Sequence, residues 1–117
     1  MDESEMAVTA EDVAAPGKRF SVVIDGNEVG QAFLYWFFGA KGHARPYAEL
    51  KDVWVDELFR SQGIAGRLLD DVLATAKELD CYKFTATSRD DGTREEVHAW
   101  YRRRGLKDHG IEFRMDF

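Results

Sequence analysis

The densest chemistry in this chain lies at one junction, Val53-Trp54-Val55-Asp56-Glu57-Leu58-Phe59-Arg60-Ser61-Gln62-Gly63-Ile64-Ala65-Gly66-Arg67. An apolar run ends, a short polar turn follows, and glycines open a segment with helical spacing. The first turn of a helix has amide N–H groups without helical partners and the positive end of the helix dipole. Together these attract phosphate. Gly63, Ala65 and Gly66 carry little or no side chain, so a ligand can come close to the backbone there. Arg60 and Arg67 add positive charge beside it. Two other phosphate loops are excluded: the chain has no Gly-x-x-x-x-Gly-Lys-Ser/Thr and no complete Gly-x-Gly-x-x-Gly. The junction alone leaves two readings open, a phosphate cradle or small residues that permit tight packing of helix on strand.

The elements around it must aim those amides. The helix is expected over 63–80, where Ile64, Leu68, Leu69, Val72, Leu73, Ala76 and Leu79 recur at helical spacing and Asp70, Asp71, Lys77 and Glu78 fill the other side. Three strands are expected before it. The first, 19–25, ends at the turn Asp25-Gly26-Asn27. The second, 29–38, places aromatic residues on both faces, which predicts that both are covered. A loop with Gly39, Gly42 and Pro46 leads to the third, 47–56. After the helix, 81–87 reads as a buried strand and 89–92 as a loop. Thr93 and Glu96 form a capping box for a helix that stops at Gly105. Residues 111–117 read as a final strand. Residues 1–17 are acidic and Ala-rich and end in Pro16-Gly17, a leader with one short strand at 6–9; 18–117 form the domain. A helix between two strands implies a parallel pair with a crossover. The fold class is therefore α+β, or α/β with a mixed sheet: mostly antiparallel, with a central parallel pair and flanking helices.

With 117 residues the chain suits one domain and one core. Cys81 is the only cysteine, which excludes an intrachain disulfide, and His43, His98 and His109 lack metal-ligand spacing, so neither zinc nor haem is expected. The net charge of −6 argues against nucleic acid as a partner, which requires a basic footprint. It suits a cationic substrate such as an amine, although negative charge also simply keeps a protein soluble. No apolar run approaches the roughly 20 residues of a membrane helix, and the acidic start Met1-Asp2-Glu3-Ser4-Glu5 is unlike a signal or transit peptide. Cytoplasmic location, without membrane attachment, is the default.

Arg60-Ser61-Gln62-Gly63-Ile64-Ala65 resembles the pyrophosphate motif Gln/Arg-x-x-Gly-x-Gly/Ala of the GNAT superfamily of N-acetyltransferases at every fixed position, and Val55 is similar to the valine that precedes that motif. Val97-His98-Ala99-Trp100-Tyr101-Arg102-Arg103-Arg104-Gly105-Leu106 resembles the family's second helix, Ala-x-x-Phe-Tyr-x-x-x-Gly-Phe, with Val for Ala, Trp for Phe and Leu for the final Phe. The resemblance covers about residues 19–117. It implies a GNAT-like fold and acetyl-coenzyme A as co-substrate, without a metal. The backbone at Trp54 and Val55 would pair with the pantetheine amides, and the N–H groups from Gln62 to Gly66 would hold the pyrophosphate. The reaction would be direct attack of a neutral amine on the thioester. An alkylamine with a pKa of roughly 10 needs a base or a water relay first. A strand N–H near Val55 would stabilise the oxyanion, and Tyr101 would protonate the departing thiolate.

Glu49 is the candidate base, eleven residues before Arg60 as in several relatives; a merely solvated carboxylate is the competing reading, and Asp52 and Asp56 are weaker candidates. His98 would line the acceptor side or simply pack. Arg102, Arg103 and Arg104 would touch the 3′-phosphate or simply complement a helix C-terminus. Arg94 stands where many relatives carry asparagine. Cys81 reads as core, not nucleophile. The family's first strand is usually followed by two helices that wall the acceptor site, and 19–47 leaves no room for both. The acceptor side would then be open or completed by another subunit. The aromatic strand 29–38 points to a homodimer. Two rivals to an acetyltransferase acting on a small-molecule or peptide amine remain: a coenzyme A-binding regulatory module of the same fold, and an enzyme using a longer acyl donor.

Overall fold

Asp25 and Gly26 both have positive φ, +50° and +79°. This is the turn whose twist matches two antiparallel strands, and Asp-Gly is a sequence that adopts it. It joins β1 (Gly17–Ile24) to β2 (Asn27–Phe37). β2 pairs antiparallel with β3 (Tyr47–Val55), and β3 pairs parallel with β4 (Lys83–Ala86), giving the sheet order β1-β2-β3-β4. The parallel pair requires a crossover, supplied by α1 (Ile64–Glu78). A second helix, α2 (Glu95–Arg103), follows β4. The computed structural model describes residues 6–88 and 95–117, and for Glu96 and Val97 the backbone only. The expected loop at 89–92, the Thr93–Glu96 capping box, Arg94 and the acidic residues 1–5 lie outside the described residues. The elements start and stop within about two residues of their sequence-based bounds, and the mixed α+β architecture is the expected one. Among the described residues no helix is long and apolar enough to cross a membrane.

The core lies between the sheet and one stripe of α1. Ala32 and Leu34 of β2 and Ala48 and Leu50 of β3 are buried beneath Ile64, Leu68, Leu69, Val72 and Ala76. Helix and sheet approach closely at Gly30, where a Cβ would lie 2.8 Å from Cγ2 of Ile64 and 3.3 Å from Cδ1 of Leu68. That contact seats the start of α1 on β2.

Three expectations fail. No helix or strand among the described residues covers the opposite face of the sheet: Phe33 stacks on Tyr35 at 6.1 Å, Phe37 stacks on Tyr47 at 5.1 Å, and the Arg19 guanidinium lies 5.8 Å over Phe33. The rings are half-buried by one another, so two-sided aromatic character does not require a second layer. Residues 6–9 form no strand; Met6 and Val8 are exposed and contribute to no ladder. Residues 111–117 are not a strand either, because none of the described residues pairs with them, despite their alternation of apolar and charged residues.

Gly30→Val should lower the unfolding free energy by about 1–3 kcal/mol through overpacking, read from urea denaturation. Unchanged stability would mean that α1 is not seated on β2 at this point.

Candidate functional site

The site begins with an irregularity in β3. Gln31 pairs with Trp54 and Phe33 with Lys51, so Asp52 and Val53 together oppose Ala32. This is a β-bulge, with Asp52 at φ +51° and its carbonyl accepting from the Gln31 side chain at 3.4 Å. A bulge bends and twists its strand, and here it marks where β3 and β4 part. Their pairing runs only from Tyr47–Lys83 to Leu50–Ala86. Beyond Leu50, β3 continues to Val55 with no partner on that side among the described residues. Trp54 and Val55 lie on this open stretch, Trp54 being exposed and Val55 half-buried.

The chain then turns. The Asp56 carboxylate accepts the Leu58 N–H at 2.9 Å and caps a 3-10 turn, Glu57–Phe59, so its side chain is committed to structure. Nε of Arg60 donates to the Val55 carbonyl at 3.3 Å, and its guanidinium lies 4.0 Å from Glu57. Gln62 donates from its side chain to the Leu58 carbonyl at 3.5 Å. Ser61 and Gly63 have φ of +68° and +80°.

Gly63 is the N-cap of α1. No side chain caps this end, and the first helical bond is Arg67 N–H to the Gly63 carbonyl at 3.0 Å. The amides of Ile64, Ala65 and Gly66 therefore have no helical acceptor. A Cβ at Gly63 would meet nothing within 4 Å, so the backbone there faces open space. Arg67 is exposed and lies 3.6 Å from Asp71. Uncapped amides, an open approach over Gly63, and Arg60 and Arg67 alongside are a fitting cradle for a diphosphate. Gly66 has a different reason. A Cβ there would lie 3.0 Å from the Arg104 guanidinium and 3.4 Å from the Trp100 indole nitrogen. Its bare side faces α2, not a ligand.

Arg104 joins the two helices. Its Nε donates to Asp70 at 3.0 Å, and its guanidinium lies 4.3 Å over the Trp100 ring. Arg102 forms a two-pronged bond with Asp108, 2.9 Å on each side; that hydrogen bond, and then the Arg102 charge, hold the Asp108 carboxyl below its ordinary range. Both arginines are thus engaged within the protein. α2 ends at Gly105, φ +90°, with the Leu106 N–H bonded to the Tyr101 carbonyl at 3.1 Å. Tyr101 is half-buried against the core and tilted 57° to Trp100. His98 is half-buried on the same helix.

Glu49 sits elsewhere. Its neighbours Ala48 and Leu50 point into the core under α1, so by strand alternation its carboxylate points to the opposite face. Lys51 lies 3.7 Å away. The structure therefore places Glu49 and Tyr101 on opposite sides of the sheet, and brings Trp54, Val55, the 60–63 turn and the first turn of α1 together at its open end. Burial first, and the Asp80 charge second, push the Cys81 thiol up, which disfavours the thiolate form a nucleophile needs. Among the described residues no three His, Cys, Asp or Glu side chains gather as metal ligands. The bulge, Gly30 and Arg104 were not singled out from the sequence for these roles. Gly30 and Arg104 draw their meaning from contacts distant in sequence, and a bulge leaves no residue signature.

Against known proteins, the family model described as "Acetyltransferase (GNAT) family" matches residues 2–106. A protein assigned as an acetyltransferase from Agrobacterium tumefaciens shares 25% identity and superposes with a TM-score of 0.77, over 86% of this chain and 69% of that one. An acetyltransferase from Trypanosoma brucei shares 25% identity at a TM-score of 0.74, over 88% of this chain and 69% of that one. A transcriptional regulator from Bacillus halodurans, 19% identical, shares the fold at a TM-score of 0.78, over 86% of this chain and 66% of that one. No curated protein matches the sequence.

The two glycines of the motif should respond differently to alanine. At Gly63 the left-handed conformation makes any Cβ strained, so Gly63→Ala should cost about 1–2 kcal/mol. Gly66→Ala should cost less, because Gly66 lies within the helix at negative φ and only the Arg104 guanidinium, at 3.0 Å, must give by a few tenths of an ångström. Chemical denaturation of both variants checks the order, and a reversed order would contradict the assignment of the two glycines.

Proposed function

The chain belongs to the acetyltransferase (GNAT) family, and on that premise we propose that it transfers an acetyl group from acetyl-coenzyme A to a primary amine, in a small molecule or a peptide. One observation carries the reading: the uncapped N-terminus of α1, open over Gly63, stands beside the unpaired stretch of β3. Acetyl-coenzyme A would supply a thioester that a neutral amine can attack directly. In this reading the amides at the start of α1 hold the pyrophosphate, with Arg60 and Arg67 supplying charge, while Trp54 and Val55 offer backbone groups to the pantetheine. A backbone N–H near Val55 stabilises the negative oxygen that develops. Glu49, reaching from the opposite face, takes the proton of the amine directly or through water, and Tyr101 returns one to the departing sulfur.

A second reading, a regulatory module that binds coenzyme A without turnover, is favoured by one feature. β1 and β2 are joined by a tight turn, and no helix lies between β1 and β3 to wall an acceptor site.

Coenzyme A should raise the melting temperature, because a ligand that binds only the folded state stabilises it. Gly63→Glu should abolish that shift by placing a carboxylate against the diphosphate, whereas Gly63→Asn, which tolerates positive φ, should keep it. A folded Gly63→Glu protein with a normal shift would move the phosphate site elsewhere. Tyr101→Phe keeps the ring, so coenzyme A affinity should be unchanged while turnover falls about a hundredfold, the lower end for loss of a general acid. Unchanged turnover with chemistry rate-limiting would remove Tyr101 from the mechanism; an acceptor panel with no turnover would favour the regulatory module.

A further inference from the structure

The irregularity in β3 is held from outside its own strand. Asp52, the left-handed residue of the bulge, turns its carbonyl toward β2, where the Gln31 side chain donates to it at 3.4 Å. The other end of that side chain accepts from Arg19 at 3.0 Å. Arg19 is fixed in turn: it donates to Ser21 at 2.7 Å, bonds Glu28 and lies over the Phe33 ring. Arginine only donates, and a backbone carbonyl only accepts. The Gln31 oxygen therefore faces Arg19 and its nitrogen faces Asp52. The position needs an acceptor at one point and a donor at another, which neither a carboxylate nor an apolar side chain provides.

The Asp52 carbonyl and the Val53 N–H belong to one planar unit, and this peptide is trans. In a trans peptide the two groups point in opposite directions. With the carbonyl held toward β2, the Val53 N–H points away from β2, to the side of β3 where pairing with β4 has stopped at Leu50. Asp52 and Val53 are both exposed, so packing does not fix this unit. Compensating rotations on either side of the plane would leave the two strands in place and reverse the N–H.

We propose that Gln31 is a positioning residue: by holding the Asp52 carbonyl it aims the Val53 N–H into the gap between β3 and β4, toward the carbonyl oxygen of a bound thioester. The proposal rests on the acetyl-coenzyme A reading above and makes the donor to that oxygen depend on a side chain of another strand. A donor already aimed before the reaction is more effective than one that must turn to meet developing charge. Gln31 itself touches neither the ligand nor the reacting atoms. It acts through one peptide plane, and Arg19 acts through Gln31.

Amide nitrogen–proton spectra of the full chain, titrated separately with coenzyme A and with acetyl-coenzyme A, test this. In the parent chain the Ile64 and Ala65 amides should shift with both ligands. The Val53 amide should shift further with acetyl-coenzyme A than with coenzyme A. Gln31→Glu keeps the Arg19 contact but sets an oxygen against the Asp52 carbonyl, and Gln31→Met removes the donor without adding charge. Gln31 is half-buried and lies outside the core, so both variants should fold. Both should keep the Ile64 and Ala65 shifts, and both should lose the extra Val53 shift. Silent Ile64 and Ala65 amides in the parent would end the cofactor reading, and this proposal with it. If those amides respond but Val53 does not distinguish the two ligands, the role of Gln31 alone is overturned. An extra Val53 shift that survives in either variant overturns it as well; survival in Gln31→Met would trace the loss in Gln31→Glu to charge, not aim.

Discussion

The close approach of α1 to β2 at Gly30 governs what the rest of the molecule can do. With no side chain at that position, Ile64 and Leu68 descend onto the sheet, and the first turn of the helix is fixed over the end of β3. Apolar burial supplies the driving force, but it is indifferent to where along the helix it acts. The room left by the missing side chain at Gly30 converts it into a position. The open amides at the helix start stand beside the open strand edge because of this contact, and Arg104 then ties α2 to the same turn through Asp70 and Trp100.

The bulge at Asp52 and Val53 complements that arrangement. A regular β3 could continue its pairing with β4 beyond Leu50, which would close the gap next to the helix start. The extra residue removes the regularity at the cost of one left-handed aspartate. Phosphate-type recognition at α1 and backbone recognition at β3 are therefore separate devices, one set by a helix terminus and the other by a strand defect, which the crossover brings side by side.

Legibility in the sequence tracked locality. The hairpin at Asp25-Gly26 and the helix over 63–80, found at Ile64–Glu78, follow from neighbouring residues and were readable. The antiparallel strands and the parallel pair followed from element order. Gly63 was singled out for openness and the structure agrees, but Gly66, chosen on the same ground, is explained by Arg104, thirty-eight residues away. The strand pattern at 111–117 shows the limit most clearly. Alternation states that a segment can lie on a sheet, not that an edge in its own chain receives it. The aromatic run in β2 was misjudged for a related reason, because rings on one face can shield one another without a covering layer.

Strand order in the sheet and strand order along the chain coincide. Each antiparallel contact closes a short loop, whereas the β3–β4 contact requires the whole of α1 to be enclosed and rewards that closure with only four residue pairs. Loop-closure entropy must be met before a distant contact forms. The hairpins are thus the early, self-sufficient part of folding, and the parallel ladder is the late part, dependent on a helix already docked. The end of the sheet that holds the open edge is consequently its least cooperative region. Its amide hydrogens belong to the class that exchanges through small local openings, while those of β2, paired on both sides, exchange only when the whole molecule unfolds.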